Sequence, residues 1–133
     1  MNYYDEPSTI MSLKSFAQWI PFGQVLELSA EELWQLMEQS EVQILDVRTR
    51  QEWLRSRIQG AINLPITQFN EENVNALNLN KNIKTITICL SAHRSIPAVR
   101  QLNKMGFTDC QQLAGGMLAW WKQGLWTTSG EAR

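Results

Sequence analysis

The chain is poor in the residues that most directly announce a chemistry: two cysteines, one histidine and four prolines in 133 residues. Cys89 and Cys110 cannot make a disulfide framework, and in a reducing compartment both should be free thiols. There is no CxxC pair and His93 stands alone, so a closed Cys/His zinc site cannot be assembled. No metal or organic cofactor is implied. Charge of one sign is also lacking, with 12 basic and 13 acidic residues giving a net charge of −1. A nucleic-acid partner would call for a marked basic excess. No apolar run approaches the roughly 18–20 residues that span a bilayer. The N-terminus has no basic stretch leading into an apolar one, as a secretory signal would. The expectation is a cytoplasmic protein whose chemistry, if it has any, comes from one thiol and its surroundings.

What is present suits one compact domain. The length falls in the common range of about 100–150 residues, and an apolar fraction of 44% is enough for a real core. From Val25 onward, β-rich runs alternate with helical patterns. Strands are expected at Val25–Leu28, Val42–Leu45, Gly60–Pro65, Thr85–Ile88 and Cys110–Leu113. The first helix is announced by a capping box, Ser29 with Glu32, and carries Leu33, Leu36 and Met37 on one face. Further helices are expected over Gln51–Arg57, Thr67–Leu77, Ser95 to just before Gly106, and Met117–Lys122. Ser95 is read as a cap, with Pro97 in the first turn, and Gly106 as the residue just past the helix end. Such alternation predicts a parallel α/β sheet with helices on both faces and right-handed crossovers.

Residues 1–24 differ in character. Ile10, Leu13, Phe16, Ala17 and Ile20 fall at helical spacing, and Lys14 alone does not make the basic face of a membrane-surface helix. This segment is expected to be a helical extension packed on a domain spanning 25–133.

The informative segment is Cys89-Leu90-Ser91-Ala92-His93-Arg94, followed by Ser95. It lies between an expected strand and an expected helix, at the carboxyl edge of a parallel sheet, where ligands bind in open α/β folds. A short turn there can aim several backbone N–H groups inward as an anion-binding nest at a helix N-terminus. The same field favours a thiolate, and Arg94 adds a fixed cation. A thiolate so placed can attack a sulfane sulfur and hold it as a persulfide. The plainer reading of Cys89 is a buried strand-end cysteine acting as a small hydrophobe, and for Cys110 that reading is preferred. His93 is either a substrate contact or a solvent-exposed loop residue.

Around this loop the chain resembles the rhodanese-like domains. Leu45-Asp-Val-Arg48, Glu52-Trp53 and Ile58-Gln-Gly-Ala-Ile-Asn-Leu-Pro65 look like the family's first signature. Gly106-Phe107, Leu113-Ala-Gly-Gly116 and Ala119-Trp120 are similar to its closing one. The resemblance covers about Val25 to Trp126. It implies a five-stranded parallel sheet and a sulfurtransferase with Cys89 as catalytic residue on the loop after the fourth strand. Leu90, Ser91, Ala92, His93 and Arg94 would contact substrate. Counting Cys89 to Arg94 gives the six-residue loop of the sulfurtransferases; the related phosphatases and arsenate reductases carry Cys-x5-Arg.

Three departures qualify the resemblance. Leu90 stands where the family often has Arg, which removes a contact for a doubly charged donor and predicts that thiosulfate is a poorer donor than a persulfide. Ala92 stands where Gly is usual; a left-handed conformation there would cost about 1–2 kcal/mol. Ser56-Arg57 replaces the usual Gly-His. Asp46, Arg48 and Ser95 are read as supporting residues, Asp46 anchoring backbone amides, Arg48 pairing with Glu52, and Ser95 capping the helix or donating a hydrogen bond. Gly115 and Gly116 should turn the chain into the last helix, and Trp120, Trp121 and Trp126 should pack. The partners implied are a sulfur donor, either a small sulfur-containing compound or a protein persulfide, and a thiol or cyanide acceptor. The alternative function is a catalytically weak rhodanese-like module that recognises a protein partner.

Overall fold

The computed structural model describes residues 24–131. The helix expected over Ile10–Ile20 lies outside them. The elements are β1 (Glu27–Leu28), α1 (Ala30–Gln39), β2 (Gln43–Asp46), α2 (Arg50–Arg55), β3 (Ile62–Asn63), a 3-10 turn (Ile66–Gln68), α3 (Glu71–Ala76), β4 (Thr85–Ile88), α4 (Ser95–Lys104), β5 (Cys110–Leu113) and α5 (Gly116–Lys122). The strands form one five-stranded sheet, ordered β1-β5-β4-β2-β3, with every neighbouring pair parallel.

Side-chain alternation along the strands explains the layering. Ile86 and Ile88 of β4, Ile44 of β2, Leu28 of β1 and Leu113 of β5 join Leu33 of α1 and Met117 and Trp120 of α5 in one buried cluster. Leu45 of β2 and Cys110 of β5 point the other way, into Val74 of α3 and Val99 and Leu102 of α4. Helices therefore cover both faces, as expected. Fully burying a side chain such as Ile86 or Leu113 contributes about 1.5–3 kcal/mol.

Local signals act as the sequence suggests at α1. Ser29 Oγ accepts from the Glu32 amide at 3.0 Å and Glu32 Oε1 accepts from the Ser29 amide at 2.8 Å. Gly106, at φ +92°, follows the end of α4. The expected helix over Thr67–Leu77 is corrected. The chain makes only a 3-10 turn before Asn70, whose side chain accepts from the Asn73 amide and starts α3 afresh. Ser95 is not a side-chain cap either: Arg94 occupies the cap position of α4, with no capping side chain. The packing expected of the tryptophans holds for Trp120, which is fully buried, but not for Trp126, which is 71% exposed.

Candidate active site

The register of the central strands builds the site. Asp46 of β2 lies beside Ile88 of β4, so the ends of both strands and the residues after them converge at one edge of the sheet. Cys89 follows Ile88 directly. The loop it opens is clamped from the side by α5. The Met117 amide donates to the Cys89 carbonyl at 2.8 Å and the Leu118 amide to the Leu90 carbonyl at 3.0 Å. This approach explains Gly116, which sits at φ +58°. A Cβ there would overlap the carbonyl oxygens of Cys89 and Leu90.

Within the loop, Ala92 adopts φ +88°, the left-handed conformation expected of the fourth position. The Ala92 N–H donates to Cys89 Sγ at 2.8 Å. Cys89 itself is 1% exposed and packs on Val47 and Ala98. Ser91 Oγ lies 3.1 Å from His93 Nδ1 at the solvent side of the loop.

Arg94 does not present an unpaired charge. Its guanidinium is held bidentately by Glu52 of α2, at 2.8 Å and 3.0 Å. The Arg94 hydrogen bonds are the main reason the Glu52 carboxyl is lowered to about 2. The same pairing raises Arg94, with smaller contributions from charge on Cys89 and Asp46. Glu52 also completes a capping box with Thr49 at the start of α2, so one carboxylate fixes both a helix end and the loop cation.

This overturns the expected pairing of Arg48 with Glu52. Arg48 folds back on Asp46, with Nη2 2.7 Å from Oδ2 and Nε within 3.1 Å of both carboxylate oxygens. Both residues are buried. Asp46 does anchor a backbone amide, that of Arg48 at 3.0 Å, and Arg48 Nη2 continues to the Ser56 carbonyl. Arg57, where the family's histidine would stand, lies over the Trp53 ring at 4.0 Å and takes no place in the loop. Cys110 is buried in β5, and burial pushes its thiol up to about 12. Among the described residues, no group of His, Cys, Asp and Glu could hold a metal ion, and no helix is long and apolar enough to cross a membrane.

Two contributors escaped sequence reasoning. Glu52 stands within the resemblance, but its partner is 42 residues away. Gln112 of β5 has no local signal, yet its side chain reaches the hydroxyl of Ser95 beneath the cysteine.

A strand-to-helix cysteine loop on a five-stranded parallel sheet defines the class, and comparison with known proteins gives the family. Residues 29–123 match the rhodanese-like domain model, and the chain belongs to that family. It is 34% identical over 95 residues to the putative sulfur carrier protein YrkF of Bacillus subtilis, covering 71% of this chain and 50% of that protein. It is 36% identical over 92 residues to thiosulfate sulfurtransferase 16, chloroplastic, of Arabidopsis thaliana, covering 61% and 75%. Its fold is similar to that of a thiosulfate sulfurtransferase from Pseudomonas aeruginosa, with a TM-score of 0.71 and 27% identity, over 81% of this chain and 21% of that one. The chain spans about half the length of the first curated relatives it matches.

Proposed function

We propose that this chain is a sulfurtransferase that carries a sulfane sulfur on Cys89. The observation that supports it most is the Ala92 N–H donated to Cys89 Sγ at the base of the six-residue loop. In the first half-reaction the Cys89 thiolate attacks the terminal sulfur of a donor persulfide. An Sγ–S bond forms, the donor S–S bond breaks, and the donor leaves as a thiolate. In the second, an acceptor thiolate attacks the outer sulfur and Cys89 is released with the electron pair of the broken bond. Backbone amides stabilise the anionic outer sulfur between the two steps, so no metal or cofactor is called on. Donor and acceptor are small sulfur compounds or a protein persulfide of the cytoplasm. Leu90 offers no charge to thiosulfate, which makes a persulfide the better donor.

The near-complete burial of Cys89 favours a second reading, a domain that recognises a protein partner and transfers sulfur poorly or not at all. Mass spectrometry after incubation with glutathione persulfide separates the two. A gain of one sulfur atom, absent in Cys89→Ala, supports the transferase. No adduct with either glutathione persulfide or thiosulfate leaves the binding module.

A further inference from the structure

Beneath the cysteine runs a chain of hydrogen bonds that leads from the loop to the edge of the sheet. Ser95 Oγ lies 3.5 Å from Cys89 Sγ and 2.5 Å from Gln112 Oε1. The other end of the same amide donates from Nε2 to Glu27 Oε2 at 3.1 Å. Glu27 and Gln112 are register partners on β1 and β5. Ser95 is fully buried and Gln112 is 4% exposed, while Glu27 reaches solvent at the sheet edge.

The donors and acceptors fix the direction of this chain. A carboxylate only accepts, so Gln112 turns its amino group to Glu27 and its carbonyl to Ser95. An amide carbonyl only accepts, so the Ser95 proton goes to Gln112. The other acceptor in reach, the Ala92 carbonyl, is 3.4 Å away and the weaker partner. Ser95 is left with a lone pair facing the sulfur. An S–H can donate to that lone pair; a thiolate gains nothing from it. The Ala92 amide on the loop side acts in the opposite sense, donating to the sulfur.

We infer that Gln112, held by Glu27, is a positioning residue that keeps the Ser95 proton away from Cys89 and so favours the thiol form of the unloaded cysteine. The inference deepens the proposed function and rests on the same site. Its test reads thiol reactivity without sulfur transfer, so the two stand or fall separately. Once Sγ carries a second sulfur it has neither proton nor charge, and the bias acts only on the empty site. The charged and titratable groups around the cysteine are Arg94 with Glu52 of α2, the Asp46–Arg48 pair after β2, and His93 in the loop. The two principal variants below alter none of these.

The experiment is alkylation of the full chain by iodoacetamide across the neutral range, with Cys89 and Cys110 followed separately by peptide mass spectrometry. Gln112→Met, similar in size and uncharged, frees the Ser95 hydroxyl to donate to the sulfur. Cys89 should then react about tenfold faster on the acid side of its profile, which moves to lower pH. Ser95→Ala should give a smaller gain, and Gln112→Met should add nothing in that background. An unchanged or slower profile in Gln112→Met overturns the inference, as does an equal gain with and without Ser95. Should Gln112→Met not fold, the exposed Glu27→Ala reads the same chain at about 1 M salt, where bare charge effects are screened. Acceleration there supports the inference, and an unchanged rate overturns it.

Discussion

Ala92 offers the sharpest test of how this loop is built. Its φ of +88° lies where an L-residue crowds its own backbone, at a cost of about 1–2 kcal/mol. Ala92→Gly removes that cost and keeps the amide that donates to Cys89 Sγ. Against this, glycine loses about 0.5–1 kcal/mol more than alanine in backbone freedom on folding. At the middle of both ranges the balance is a gain of about 0.7 kcal/mol. For a chain of 133 residues that corresponds to roughly 2–4 °C in Tm. Urea unfolding measures it directly: the midpoint should rise with no change in slope. A variant less stable than the parent by about 0.5 kcal/mol or more refutes the reasoning, because the strain would then have been relieved elsewhere in the loop. Cys89 alkylation supplies a second reading, since a preserved amide contact should leave its rate within about twofold.

Other perturbations follow from the same geometry. Gly116→Ala combines a left-handed φ with overlap on the Cys89 and Leu90 carbonyls; it should cost at least about 2 kcal/mol by urea unfolding and slow persulfide loading. Asp46→Asn strips the buried Arg48 of its counter-ion and should cost about 3–5 kcal/mol in the same assay. The Glu52 carboxyl, held at about 2 against an ordinary 4.5, contributes stability that is fully present above about 4.5 and lost as pH falls toward 2. Because the pair is partly solvent-exposed, that contribution is about 1 kcal/mol. Arg94→Met should remove most of it, leaving the Thr49 hydrogen bonds, and flatten the acid limb of stability between those pH values.

Much of the fold was legible because its signals are local. The β-branched run Thr85–Ile88, the apolar run ending at Leu45 and the Ser29–Glu32 box each declare an element without help from distant residues. The left-handed fourth position of the loop was legible only through the resemblance, which has glycine where Ala92 stands. The Thr67–Leu77 expectation failed where two local signals competed: Asn70 offers a cap stronger than the helical pattern it interrupts. The ion pairs failed for a different reason. A spacing of four links side chains only on a helix, and Arg48 precedes the first turn of α2 at Arg50. At the bend after β2 it turns back on Asp46 instead, and Glu52 is left to Arg94. Contacts such as Gln112 with Ser95 depend on which strands become neighbours, which no spacing along the chain records.

The pairing of Glu52 with Arg94 bears on which sulfur donor the loop admits. Leu90 supplies no charge, and the one guanidinium in the loop is neutralised by a bidentate carboxylate. The entrance therefore offers a dianion little beyond backbone amides. Glu52→Gln releases the cation while keeping the helix cap, since glutamine serves the capping box as well as glutamate. A freed charge beside a partly exposed site is worth about 1 kcal/mol to a singly charged ligand, and about twice that to thiosulfate. The ratio of thiosulfate to cysteine persulfide turnover, the latter a donor of one net negative charge, should therefore rise about fivefold at low salt and shrink as salt is added. A ratio that stays constant, or rises equally at high salt, would mean that Arg94 never meets the donor and that the amides alone set the choice.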